Sequence, residues 1–285
     1  MTPVTLSFGR FTIHALRDGF FSLDGGSMFG VVPKVLWEKR FGADRQNRIR
    51  LGLNSLLIQA KNYTILVETG IGRDLDKRIL EMYSVEQRPD LIGALQEIGF
   101  AGEDIDFVIN THLHFDHCGN NTHRDSKGEF VPTFPNATYI IQRGEWDCAL
   151  NPNPRDEKSY LPQCFLPIKN SGLLKLVDGN TEVTDGVEVV LTPGHTMFHQ
   201  SVRVRSEGKT LFYLGDMVPT SGHVNLPYIM SYDLYPLQTL ESKRKIFEEA
   251  IRGEWIVAFV HDPEYYFGTI DRKDNKYVFS PWKNI

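Results

Sequence analysis

Apolar positions in this chain fall into short runs whose spacing switches between two periods. Residues 6–18 alternate well enough to predict strands, and Gly25-Gly26-Ser27-Met28-Phe29-Gly30 then reads as a flexible loop. Residues 53–58 and Thr64–Val67 are short β-type runs, the second ending at Glu68-Thr69-Gly70. After Pro89 the period lengthens, and Leu91, Ile92, Leu95 and Ile98 share one face of a predicted helix. A second helix is predicted over 239–252. Leu240, Ile246, Phe247, Ala250 and Ile251 form its stripe, Thr239 supplies an N-cap and Gly253 the stop. Interleaved strands and helices argue for a layered α/β architecture.

Four of the apolar strands each run into a residue of a type that binds metals. Phe107-Val108-Ile109 leads to His112, residues 187–191 to His195, 211–214 to Asp216, and 255–260 to His261. In open α/β sheets, sites form beyond the carboxyl ends of strands, so four such ends on one edge would converge their ligands.

Composition narrows the field. With 24% charged and 41% hydrophobic residues over 285 positions, the chain can bury a core and is not disordered. No repeat and no Ser/Gly- or Pro-rich linker divides it, so residues 1–285 read as one domain. The net charge of −5 weighs against nucleic acid as a partner. The longest clean apolar stretch, 255–260, is far short of a membrane span, and residues 1–6 carry no basic or long apolar leader, so a cytoplasmic location is expected. Three widely spaced Cys do not make a disulfide framework.

The densest chemistry is Thr111-His112-Leu113-His114-Phe115-Asp116-His117. His112 and His114 point to one side of an extended backbone, while Asp116 and His117 can address a second position close by. Imidazole and carboxylate suit Zn²⁺ and also Mn, Fe or Co. The chance of meeting H-x-H-x-D-H in a chain of this composition is on the order of 1 in 2,000. His195 follows a Pro-Gly turn, Asp216 follows Gly215, and His261 precedes Asp262-Pro263. Each alone is compatible with a turn former or a hydrogen-bonded histidine. Their shared strand-end position makes them candidate ligands.

This set, H-x-H-x-D-H followed by Pro-Gly-His, Gly-Asp and a late strand-end His, resembles the metallo-β-lactamase superfamily, over roughly residues 51–262. The resemblance implies a four-layer αβ/βα sandwich, two mixed sheets flanked by helices. It implies that His112, His114 and His195 hold one metal, that Asp116, His117 and His261 hold a second, and that Asp216 bridges both. The full set of seven is similar to the dinuclear lactonase-like hydrolases, the quorum-quenching N-acyl homoserine lactone lactonases and pyridoxolactonase among them. The piece Met28-Phe29-Gly30-Val31-Val32-Pro33-Lys34 with Leu36-Trp37 also looks like that group, so residues 1–50 are expected to form a strand/loop extension contributing to the pocket. A homodimer is expected on the same resemblance. Two positions depart from the pattern: Glu68-Thr69-Gly70 stands where Asp-Thr-Gly is usual, and Pro219 where the homoserine lactone lactonases carry a tyrosine.

In such a site two metals about 3.5–4 Å apart hold a bridging hydroxide, which attacks the acyl carbon of a lactone or ester. Asp116 would carry the proton to the leaving oxygen, alongside Asp216 and His223 as further catalytic candidates. The segment 219–237 is the expected substrate loop, with His223, Tyr228, Tyr232 and Tyr235 as candidate substrate contacts and His223 or a tyrosine replacing the donor missing at Pro219. Met28 and Phe29 would cap the pocket. His199 is a candidate support for the metal ligands, whereas Cys118, His14 and His123 read as packing or ordinary residues. A phosphotriesterase or a thioester hydrolase would use the same site. From another class, an iron-dependent persulfide dioxygenase shares part of the ligand set.

Overall fold

A computed structural model describes residues 3–282. Met1 and Thr2, the start of the segment read for a leader, lie outside the described residues. Strands β1 (Val4–Phe8), β2 (Phe11–Asp24), β3 (Arg48–Gln59), β4 (Thr64–Val67) and β5 (Phe107–Ile109) begin the first sheet. After a separate hairpin of β6 (Thr122–Arg124) and β7 (Phe130–Pro132), strands β8 (Thr138–Gln142) and β9 (Leu174–Val177) complete it in the order β1-β2-β3-β4-β5-β8-β9. The second sheet follows chain order: β10 (Thr181–Thr184), β11 (Val187–Leu191), β12 (Gln200–Ser206), β13 (Lys209–Tyr213), β14 (Ile256–Ala258), β15 (Phe267–Lys273) and β16 (Lys276–Pro281). Both are mixed. β4, β5, β8 and β9 run parallel in the first, and β13 and β14 in the second, with antiparallel pairs elsewhere.

Alternation along the strands explains the layering. In β4, Ile65 and Val67 join the core between the sheets while Leu66 faces outward. In β13, Leu211 and Tyr213 face inward and Phe212 outward. The helices in chain order are α1 (Gly25–Phe29), α2 (Lys34–Trp37), α3 (Lys77–Met82), α4 (Leu91–Glu97), α5 (Phe115–Cys118), α6 (Arg143–Leu150), α7 (Leu166–Asn170) and α8 (Pro236–Arg252). Leu66 packs under α4, which Asp90 caps through the Gly93 N–H. Phe212 packs under helix α8 (Pro236–Arg252), whose Ile246, Phe247 and Ala250 are buried. The result is helix, sheet, sheet, helix, as the resemblance implied. Among the described residues no helix is long and apolar enough to cross a membrane.

Two local expectations change. The glycine-rich stretch expected to be a flexible loop is a short helix, Gly25–Phe29, because the Asp24 carboxylate accepts the Ser27 N–H at 2.7 Å. The long C-terminal helix starts at Pro236, not Thr239. Pro fits the first helical turn, where its missing N–H leaves no bond unmade. Thr239 is instead an interior, buried residue whose hydroxyl donates to Asp233. The metal-type strand ends also come from two sheets rather than one edge: β5 belongs to the first, and β11, β13 and β14 to the second.

Candidate metal centre

The loop leaving β5 is held extended by two buried carboxylates. Glu68 accepts the Thr111 N–H at 2.7 Å, and Glu145 accepts the Leu113 N–H at 3.1 Å. His112 and His114 therefore turn to one side. His112 Nε2 lies 3.0 Å from His114 Nδ1, and His195 Nε2 lies 3.1 Å from the same atom. The far side of His195 is fixed, because Nδ1 sits 3.0 Å from the Asp233 carboxylate, which only accepts, so Nδ1 carries the hydrogen and Nε2 a lone pair. Burial, followed by repulsion among neighbouring imidazoles, pushes His112 and His114 well below the usual histidine range, into the neutral form that ligates.

Asp116 and His117 lie on helix α5 (Phe115–Cys118), immediately beyond. His117 Nε2 is 3.6 Å from Asp116 Oδ2 and 3.3 Å from His261 Nε2. His261 Nδ1 donates to the Gly52 carbonyl at 2.9 Å, which leaves its Nε2 free to face the cluster. Asp216 lies between the two groups: Oδ2 is 3.2 Å from His195 Nε2 and 3.4 Å from His117 Nε2, and Oδ1 is 3.2 Å from His261 Nε2. Burial acts to raise the Asp216 pKa, but His117, His261 and His195 outweigh it and hold the carboxyl well below its usual range.

These groups fit a pair of cations on their own geometry. Ring nitrogens of three imidazoles meet at 3.0–3.1 Å in one buried spot, the arrangement a cation held by all three would require. Asp216 Oδ1 is buried without a hydrogen-bond partner. The ligand atoms of His112, His114 and His195 lie within 4.8 Å of one another, as do those of His112, His117 and Asp216, and of Asp116, His117 and His261. Imidazole and carboxylate together suit Zn²⁺ and its neighbours. His199 accepts the Asp216 backbone N–H on Nε2 at 3.1 Å and pairs with Thr192 through Nδ1, so it holds Asp216 in place. Glu68, the departure from Asp, reaches Thr111 with one oxygen and sets the other 3.4 Å from His117 Nδ1.

A cavity of about 360 Å³ opens on the cluster and is lined by His114, Asp116, His195, Asp216 and His261. Its other walls are Phe21, Leu23, Met28, Phe115, Met230 and Leu234, with Tyr83, Tyr232, Arg155 and Asp156 as polar groups. Of the residues proposed from the sequence as substrate contacts, Met28 and Tyr232 are among the lining residues. His223, Phe29, Tyr228 and Tyr235 are not among the lining residues. His223 is fully buried; its Nε2 donates to the Met28 carbonyl at 2.8 Å and its Nδ1 accepts the Thr220 hydroxyl at 2.7 Å, so it has no nitrogen left for a substrate. Phe29 is stacked on His223 and Trp37, and Tyr228 stands edge-on to Phe29. Tyr235 precedes α8 and gives its N–H to the Gly194 carbonyl. Tyr83, Arg155, Asp156 and Asp233 escaped the sequence reading because no motif spacing links them to the histidines. Tyr83 lines the cavity stacked on Phe115, with ring centroids 5.5 Å apart.

Comparison with known proteins agrees with this geometry. The Metallo-beta-lactamase superfamily profile matches residues 49–275. An N-acyl homoserine lactonase from Bacillus sp is 29% identical over 222 residues, 73% of this chain and 80% of that one. A probable metal-dependent hydrolase from Staphylococcus aureus superposes with a TM-score of 0.88 at 31% identity, covering 96% of this chain and 99% of the other. AidC, a dizinc quorum-quenching lactonase solved with a product, shares the fold at a TM-score of 0.83 and 21% identity, covering 100% and 98%. A sandwich shared nearly end to end, with metal-type side chains gathered at its strand ends, makes this chain a metallo-hydrolase belonging to the metallo-beta-lactamase superfamily.

Proposed function

We infer that the chain binds two divalent metal ions, Zn²⁺ foremost, and opens lactones or cleaves related carboxylic esters, with N-acyl homoserine lactones as the leading substrate class. The observation that carries this reading is the seven-residue cluster at the base of a mainly apolar cavity. The curated relatives named N-acyl homoserine lactonase support the substrate class. His112, His114 and His195 would hold one ion; Asp116, His117 and His261 the other; Asp216 both. When bound, such a pair acidifies a water and polarises an ester carbonyl.

The chain's own groups do the rest. Asp116 lines the cavity and is positioned to pass a proton to the leaving alkoxide. Phe21, Leu23, Met28 and Met230 exclude water and take the acyl portion, so residues 1–50 act as part of the pocket within one 1–285 unit. Tyr83 and Tyr232 offer phenol donors to the substrate's polar atoms.

The test is a panel of N-acyl homoserine lactone, thioester and phosphotriester on zinc-loaded protein, with Asp216→Asn as control. Lactone turnover that falls at least a hundredfold in the variant supports the reading. Preference for the phosphotriester or thioester reassigns the substrate, and a single iron with oxygen uptake on a persulfide overturns hydrolysis altogether.

A further inference from the structure

Helix α8 carries a lysine on its apolar face. Thr239, Lys243, Ile246, Phe247 and Ala250 are its buried residues, and Lys243 has no exposed surface. An ammonium in such a place requires strong compensation. Here it comes from backbone carbonyls: the three Nζ hydrogens face His223 O at 2.8 Å, Asn225 O at 2.9 Å and Tyr228 O at 2.8 Å, with Leu226 O at 3.3 Å sharing one of them. Its hydrogen-bond partners are therefore neutral dipoles, as they would be for a bound monovalent cation; burial lowers its pKa to about 7, and the Asp233 carboxylate acts in favour of the ammonium.

The cage explains how an irregular segment keeps its shape. Residues 223–228 turn four carbonyls toward one point, and buried carbonyls need donors. Just beyond them along the chain stands the cavity wall: Met230, Ser231, Tyr232 and Leu234. Four residues before Lys243, on the same helix face, Thr239 donates to Asp233, which in turn fixes His195. One face of α8 thus grips the loop at two points, one behind the substrate wall and one behind a metal-type histidine.

We propose that Lys243 is the positioning residue for the substrate wall, acting as a tethered cation that organises the 223–228 carbonyl cage, and that removing its side chain leaves a site for a small alkylammonium ion. The kinetic part rests on the ester-hydrolase reading above; the structural part does not. Lys243→Ala removes the three carbons and nitrogen that propylammonium would restore, so propylammonium and the uncharged propanol are matched probes.

Hydrogen exchange over residues 223–235 is measured by mass spectrometry in wild type, Lys243→Ala and Lys243→Met. On the lactone, kcat and KM are measured alongside. Both variants should exchange at least tenfold faster across the segment, with KM raised about tenfold and kcat changed less than threefold. Propylammonium should restore both readouts in Lys243→Ala, and propanol neither. If Lys243→Ala does not fold unaided, refolding yields with the two additives are compared, and a higher yield in propylammonium supports the cage. Unchanged exchange in Lys243→Ala, full order in Lys243→Met, or equal effects of the two additives would overturn the cage. A loosened segment with unchanged KM would overturn its role in the substrate wall. If no ester is turned over at all, the exchange and additive measurements still decide on the cage.

Discussion

The Asp233 carboxylate takes the Nδ1 hydrogen of His195 at 3.0 Å with one oxygen and the Thr239 hydroxyl at 2.7 Å with the other. His195 is thereby locked in the tautomer that presents Nε2 to His114 and Asp216. An amide at position 233 keeps one acceptor for the ring but loses the negative charge behind the His195 Nδ1 hydrogen, and its NH2 reverses the bond to Thr239. Asp233→Asn should lower metal affinity by about 10- to 100-fold, as outer partners of ligating histidines commonly do. Competition with a zinc chelator measures this directly, and wild-type affinity in the variant would show that the pair is only structural.

Gly194 precedes that histidine at φ +148°. A Cβ there would stand 2.5 Å from the Thr239 backbone nitrogen, at the start of α8. Gly194→Ala must push the helix away or refold the turn, costing at least about 2 kcal/mol. A lower midpoint in urea together with weaker zinc binding is the expected pair of results, since both Thr239 and His195 border the same turn.

Much of this centre is legible in the sequence because its candidate ligands come in two local patterns, His112 to His117 and single residues after apolar strands. Those patterns survive any detail of packing. Apart from His199, the outer partners do not announce themselves. Glu145 reaches Leu113 across 32 positions, and Asp233 reaches His195 across 38. Such pairs are set by how two sheets and α8 meet, which no local period encodes. His223 misled for the same reason. A histidine in an aromatic-rich loop reads as exposed chemistry, yet His223 is fully buried, stacked 4.4 Å from the Phe29 ring.

Glu68 separates two roles that substitution can pull apart. One oxygen accepts the buried Thr111 N–H at 2.7 Å, and the other faces His117 at 3.4 Å. Glu68→Ala leaves that N–H unpaired and should cost about 1–3 kcal/mol in equilibrium unfolding. Glu68→Gln keeps an acceptor for Thr111 but removes the charge beside His117. It should unfold close to wild type while binding its second zinc equivalent more weakly, which calorimetric titration would read.

Tyr83 and Tyr232 are the tyrosines lining the cavity among the described residues. Burial, and then the Asp116 charge, raise the Tyr83 pKa, so its phenol keeps its proton and can donate. Tyr83→Phe and Tyr232→Phe should each raise KM for a lactone severalfold, consistent with about 0.5–1.5 kcal/mol for a neutral hydrogen bond. Tyr228→Phe and Tyr235→Phe, away from the cavity, should leave KM unchanged.

Acid should destabilise the protein partly through His223. Its folded pKa is pushed down from 6.5 to about 3, chiefly by burial, with the nearby Lys243 charge acting in the same direction. The Met28 carbonyl opposes this without prevailing. Between those two values the unfolded chain binds a proton that the folded chain refuses, so stability rises with pH across the window. The contribution is fully present above 6.5 and drains as pH falls toward 3. From pH 7 to pH 4 the loss through this one group is roughly 3 kcal/mol. His223→Gln removes the titration but also the stack on Phe29, so it should be less stable than wild type at pH 7 and show a flatter decline below it. Urea unfolding at several pH values gives both quantities, and parallel curves for the two proteins would mean that His223 takes up its proton in the fold as readily as in the unfolded chain. Since both ring nitrogens are engaged inside the protein, a change in lactone kcat at pH 7 would have to come through the 223–228 segment rather than through a lost substrate contact.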